Sequence, residues 1–311
     1  MSTTVEGTQH DTTDPDRRVP DRRGPRLGNG PWGIALRLLV APIIMFGANF
    51  AVLPLWQLPA MARIAADTSE AGAIRAMVAR MATWVLVGIV MVGLTALWLR
   101  LVERRSLRQT GVVVNRRGLA LLLAGTGLAV AGVLAGVLLV RVVAGPEALG
   151  GPTSFEGIPL GLLIAYVVVR SFVLQGIGEE VIFRGWLMDT LRARPLVALV
   201  VATLGFTVPH LLSGGGQSGW VDLVTYLAMP FGFGLLAGAL VLLTRSVLPA
   251  IGIHGGFHVG NAVATGVFGA DLISSSVWLV TGGVLALLGV VATLLWWRRT
   301  ASVAQVSNTH G

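Results

Sequence analysis

Cysteine is absent from the 311 residues. Disulfides, cysteine-ligated zinc and thiol catalysis are therefore excluded. Lysine is absent too, so all 23 basic residues are arginine and Schiff-base or Ser–Lys chemistry has no amine to use. Charge of either sign is scarce: 12% of the residues are charged, against about 25% in an ordinary soluble domain. What fills the chain instead is apolar, with 54% hydrophobic residues and a mean hydropathy of +0.77. Too little polar surface remains to face water. A water-soluble enzyme and a disulfide-stapled secreted domain are excluded, and the long apolar runs predict an all-α, polytopic membrane protein. The net charge of +8 would suit a nucleic-acid binder. The arginines are placed as a membrane topology would place them, and no nucleic-acid partner is expected.

A spanning helix needs about 20 mostly apolar residues. About eight runs qualify: 33–57, 81–100, 118–143, 162–188, 196–212, 221–243, 247–267 and 276–297. The 41 glycines are scattered through them, as close helix packing in lipid requires. Residues 1–30 are polar, carry Asp11, Asp14, Asp16 and Asp21 with five arginines, and read as a disordered tail rather than a cleaved signal. Ser213–Gly219 reads as a flexible loop, and 301–311 as a C-terminal tail.

With the N-terminus inside, sixteen arginines fall on the cytoplasmic side, among them Arg100, Arg104, Arg105, Arg108, Arg192, Arg194 and Arg245. The outer side receives Arg63, Arg75, Arg80 and Arg141, with Asp67, Glu70, Glu147, Glu156 and Asp271. This bias predicts a multi-pass protein of the plasma membrane with both termini cytoplasmic. Its weak point is the first outer loop, which holds three arginines. Trp32, Trp56, Trp98, Trp296 and Trp297 read as interfacial anchors.

Ionisable groups inside a span are costly and mark function by default. They concentrate in the second half: Arg170, Glu179, Glu180 and Arg184 in the fourth run, His210 in the fifth, His254 and His258 in the seventh. The first three runs carry almost nothing comparable. Glu180 and Arg184 are four apart and can pair, while Glu179 is turned about 100° away toward a different neighbour. His254 and His258 share a face. Counted from a hairpin near Arg192–Pro195, Glu179 and His210 lie roughly 21 and 25 Å deep, so the two can be level. Arg170 reads as a partner for a carbonyl or for Asp222, or as a side chain that snorkels. Gly176, Gly178 and Gly185 read as packing positions, and so does Phe206.

The string Glu179-Glu180-Val-Ile-Phe-Arg184-Gly-Trp186, followed by Phe206-Thr-Val-Pro-His210 and by His254-Gly-Gly-Phe-His258, resembles the CPBP family. That family holds type II CAAX prenyl endopeptidases and the lysostaphin-resistance-A-like proteins. The resemblance covers about residues 160–268 and divides the chain into N-terminal transmembrane helices (31–157) and a CPBP-like catalytic core (158–300). It implies that Glu179 activates water, that His210 assists as a base or orienter, and that Glu180 and Arg184 hold the motif together. His254 is then a donor to the oxyanion. The residue four further on is usually Asn in the family and is His258 here, which can donate but can also titrate or bind metal.

The expected function is an intramembrane endopeptidase that splits a peptide bond of a membrane-associated, CAAX-like or bacteriocin-like substrate, with no cofactor required. The expected cavity opens toward the arginine-rich cytoplasmic loops. Two other readings stand beside it. One is a zinc metalloprotease using His254 and His258, although the string lacks the glutamate of HExxH sites. The other is a non-catalytic peptide-binding protein or proton-coupled transporter, for which polar residues in both halves would be expected.

Overall fold

The computed structural model describes residues 27–145, 157–213, 216–270 and 272–308, with side chains as far as 302. The polar tail expected over 1–30 lies almost wholly outside the described residues, as do Glu147, Glu156 and Asp271. All regular structure among the described residues is helical. In chain order the helices are α1 (Pro31–Ala51), α2 (Pro59–Ala66), α3 (Glu70–Trp98), α4 (Arg116–Ala144), α5 (Leu160–Thr190), α6 (Pro195–Leu212), α7 (Trp220–Thr244), α8 (Leu248–Phe268) and α9 (Ser275–Asn308). The protein is an all-α, polytopic membrane protein, and among the described residues seven helices are long and apolar enough to cross a bilayer.

The eighth expected span is α8. It has the length, 21 residues, but His254, His258 and Asn261 dilute its hydropathy. Its position explains how it tolerates them. Leu248 through Phe257 are buried without a break, and α8 packs against α4, α5 and α7. Gly252 and Gly256 let α8 and α4 touch backbone to backbone, since a Cβ on Gly256 would stand 2.7 Å from the Cα of Thr126.

Two expectations about the first half need correction. The run expected at 81–100 begins at Glu70, capped by the Ser69 hydroxyl on the Gly72 N–H at 3.0 Å. The supposed first outer loop is therefore α2 plus the opening turns of α3. Its Arg75 pairs with Asp67, and Arg63 donates to the carbonyl of Pro59. The first three spans also carry more charge than expected. Arg37 of α1 is fully buried and pairs with Glu103, which ends the π-wound turn Leu99–Glu103 after α3, with bonds of 2.6 and 2.7 Å. The indole N–H groups of Trp98 and Trp186 point at the same carboxylate. Trp98 is thus packed on Trp186 at 5.6 Å rather than serving only as an interfacial anchor. The stretch expected as a tail from 301 continues α9 to Asn308.

Helix starts and stops follow local chemistry. Asn115 caps α4 through its side chain, Pro195 and Pro249 occupy first-turn positions of α6 and α8, and α8 ends at Gly269 in the left-handed conformation. The motif helix α5 departs from the α pattern. Val169–Ile177 and Val181–Leu187 are wound as π-helix around the single α turn Gly178–Glu180. Such widened turns are uncommon and gather at functional sites.

Candidate active site

Glu179 and Glu180 share the short α turn between the two π segments, and their side chains go to different places. Glu180 is fully buried. Its Oε1 accepts from Nη1 of Arg184 at 3.1 Å and lies 2.9 Å from Nδ1 of His254. Arg184 also donates to the Gly234 carbonyl at 2.9 Å and lies over the Phe206 ring, 4.6 Å from its centroid. Glu180 is therefore a bridge between the motif arginine and a histidine 74 residues away, a partner beyond the ion pair read from spacing.

Glu179 borders a cavity of about 210 Å³ together with His210, Gln175, Tyr226, Ser213 and Asn49. His210 is held by its own helix, with Nδ1 2.8 Å from the carbonyl of Phe206. A carbonyl only accepts, so Nδ1 carries the hydrogen and the neutral ring has its lone pair on Nε2. The Tyr226 hydroxyl bonds the Ser213 side chain, and Ser213 donates to the His210 carbonyl at 2.7 Å. The Oε1 of Gln175 is buried with no partner.

His254 and His258 do not line this cavity. Phe206 stands between: its ring is 4.6 Å from that of His210 and 5.9 Å from that of His254. His258 follows His254 along α8 with rings 5.3 Å apart. The four histidine and glutamate positions read from sequence thus separate into a cavity pair, Glu179 with His210, and a pair on α8 behind Phe206, of which His254 is buried and His258 half-buried. Phe206 is the centre of the cluster, touching Phe183, Phe233, His210, His254 and Arg184.

The mouth is not where it was expected. Asn49 is near the far end of α1, Ser213 follows the last turn of α6 and Tyr226 is in the second turn of α7. All three are remote from Arg108, Arg192 and Arg245, which meet at the opposite end of the bundle. The cavity therefore lies toward the end bearing the 213–219 loop, not the arginine-rich loops. Of the roles read for Arg170, the pairing with Asp222 is not formed: Arg170 is exposed, and Asp222 accepts from Ser218 and Ser275.

A zinc ion held by His254 and His258 would need further ligands. Among the described residues no three His, Asp or Glu side chains converge as a metal site, and Nδ1 of His254 is engaged by Glu180. The donor set does not fit, and no step is derived through a metal.

Gln175, Tyr226, Ser213 and Asn49 were not singled out by sequence. The available signals were thin: Gln175 precedes Glu179 by four positions, and Tyr226 is one of two tyrosines in the chain.

No curated protein matches the chain, and neither does any solved structure. One family model does: residues 161–260 match that of the type II CAAX prenyl endopeptidase Rce1-like proteins. That third of the chain, which holds Glu179, His210, His254 and His258, is thus similar to a family of intramembrane peptidases.

Proposed function

We propose that the protein is an intramembrane endopeptidase that hydrolyses a peptide bond of a membrane-associated substrate with a water activated by Glu179. One observation carries the reading. A carboxylate and an imidazole with a free lone pair border the same small, partly polar cavity inside a membrane protein, within a segment that matches a peptidase family.

The chemistry needs a base, a nucleophile and donors for the oxyanion. Glu179 takes a proton from water while Nε2 of His210 accepts the second water hydrogen and fixes the attacking lone pair. The hydroxide adds to the carbonyl carbon, and the carbonyl oxygen becomes an oxyanion. Donors bordering the cavity include the Gln175 amide and the Tyr226 hydroxyl, which turns from Ser213 to the oxyanion as the charge develops; both are of the type used in oxyanion sites. Collapse breaks the C–N bond as the proton held by Glu179 passes to the departing nitrogen, leaving a carboxylic acid and an amine. His254, through Glu180 and Arg184, sets the position of the motif helix rather than touching substrate.

The cavity's size favours an extended peptide entering end on over a folded domain. The arginine-rich end is assigned to the cytoplasm of a plasma membrane by the positive-inside rule. The catalytic mouth then faces the opposite leaflet, and the substrates are peptides anchored in or exported through the membrane. The division into N-terminal helices (31–157) and catalytic core (158–300) belongs to the same proposal.

The test is cleavage of membrane-anchored peptides by purified protein in H₂¹⁸O. Wild type incorporates one heavy oxygen into each new carboxyl, and Glu179→Gln slows cleavage by at least about 10²-fold with an unchanged melting temperature. Wild-type turnover in Glu179→Gln would overturn the assignment and leave a peptide-binding protein.

A further inference from the structure

A second cavity, of about 630 Å³, opens at the end of the bundle opposite Glu179. Its wall carries four cations, Arg108, Arg184, Arg192 and Arg245, and one carboxylate, Asp189. That carboxylate is already taken, since Asp189 pairs with the half-buried Arg105 and has Arg192 at 4.0 Å. Among the described residues, Arg108 and Arg245 are thus left in the wall with no acidic residue of their own. The volume is that of a pocket for a small molecule.

The backbone makes Arg245 the more telling of the two. It ends α7 in the left-handed conformation, with φ 56° and ψ 31°. Glycine is the usual residue at such a helix end because it has no Cβ to strain. An arginine at that position keeps its charge at a cost in backbone strain. Trp296 of α9 completes the wall with the kind of ring that settles at headgroup level.

We propose that this cavity binds a phosphate group, and that its carrier in the membrane is an anionic phospholipid whose headgroup enters from the arginine-rich face. Arginine guanidinium groups match phosphate oxygens with paired, charge-assisted hydrogen bonds. Basic pockets between spanning helices at the cytoplasmic face suit this ligand class. A soluble phosphate ester offers the same chemistry, but the tryptophan and the membrane setting favour a lipid. Arg184 belongs both to this wall and to the Glu180–His254 bridge. Headgroup occupancy therefore bears on the helix that carries Glu179. The inference stands whether or not the chain is a peptidase.

The full chain is reconstituted with phosphatidylcholine alone or with added phosphatidylglycerol, and lipid retained after detergent extraction is counted by native mass spectrometry. Wild type retains phosphatidylglycerol in preference to phosphatidylcholine. Arg108→Gln combined with Arg245→Gly weakens that retention by about 30-fold, the effect of two surface-proximal arginines. Glycine suits the left-handed position, so Arg245→Gly alone melts no lower than wild type. Equal retention of the two lipids, or an unchanged preference in the double variant, overturns the proposal. Millimolar glycerol phosphate leaves the bound lipid in place. If it binds lipid-free protein as tightly as the lipid does, the ligand is a soluble phosphate and the lipid assignment fails.

Discussion

The same carboxylate oxygen, Oε1 of Glu180, receives Nη1 of Arg184 at 3.1 Å and faces Nδ1 of His254 at 2.9 Å. One acidic side chain thereby ties the motif helix to the histidine helix, with all three groups buried. Removing one partner of such a pair strands the other in a poorly solvated place. Glu180→Leu should lower stability by about 3–5 kcal/mol. Adding Arg184→Met should restore much of that loss, because the stranded cation is gone. Thermal melts of the two singles and the double read the coupling directly. Additive losses would mean that the ion pair contributes little.

Tyr226 gives a separate prediction. Its hydroxyl borders the cavity and is the part of the residue that would meet a developing oxyanion. Tyr226→Phe keeps the ring packed on Trp278 at 5.5 Å and removes only the oxygen. The expected result is a fall in kcat of about 10²-fold with little change in KM or melting temperature, the amount lost with one oxyanion donor. A KM effect alone would move Tyr226 to substrate binding.

Arg37 and Glu103 form a second buried pair, joined by the indoles of Trp98 and Trp186. Trp186 lies two residues beyond Arg184, so this cluster fixes α1 and α3 against the motif helix. Arg37→Ala should cost about 3–5 kcal/mol and loosen α1. Protease nicking near residues 52–58 in detergent would report that loosening. A variant that melts like wild type would reduce the cluster to packing.

The absence of cysteine makes topology measurable one position at a time. Ser218→Cys, in the loop near the Glu179 cavity, should react with a membrane-impermeant maleimide added to intact cells. Arg192→Cys, at the arginine-rich end, should react only after permeabilisation. The reverse pattern would turn the protein over in the membrane and place the mouth of the Glu179 cavity on the cytoplasmic side.

Much of the fold was legible because apolar runs announce spanning helices whatever their tertiary partners. The Glu180–Arg184 pair was legible as well, being four apart on one helix. Long-range partners were not. Nothing local in the chain links Glu180 to His254, or Arg37 to Glu103 across 66 residues. Arg37 sits in an apolar run that reads as an ordinary span until its carboxylate is found. Depth counted from a hairpin makes Glu179 and His210 level, but it says nothing of which end of the bundle their cavity approaches. Helical spacing put His254 and His258 on one face without showing that Phe206 stands between that face and the cavity.

The π-wound stretches on either side of Gly178–Glu180 make the reading frame of this helix a fragile quantity. A single-residue deletion within Val169–Ile177 that let the chain relax to ordinary α winding would swing every later side chain by about 100° and draw it back by about 1.5 Å. Glu179 would then point where a neighbour now does, while composition, hydropathy and span count stayed almost unchanged. Two sequences of this kind, alike by every bulk measure, would differ in whether the acid reaches its cavity at all.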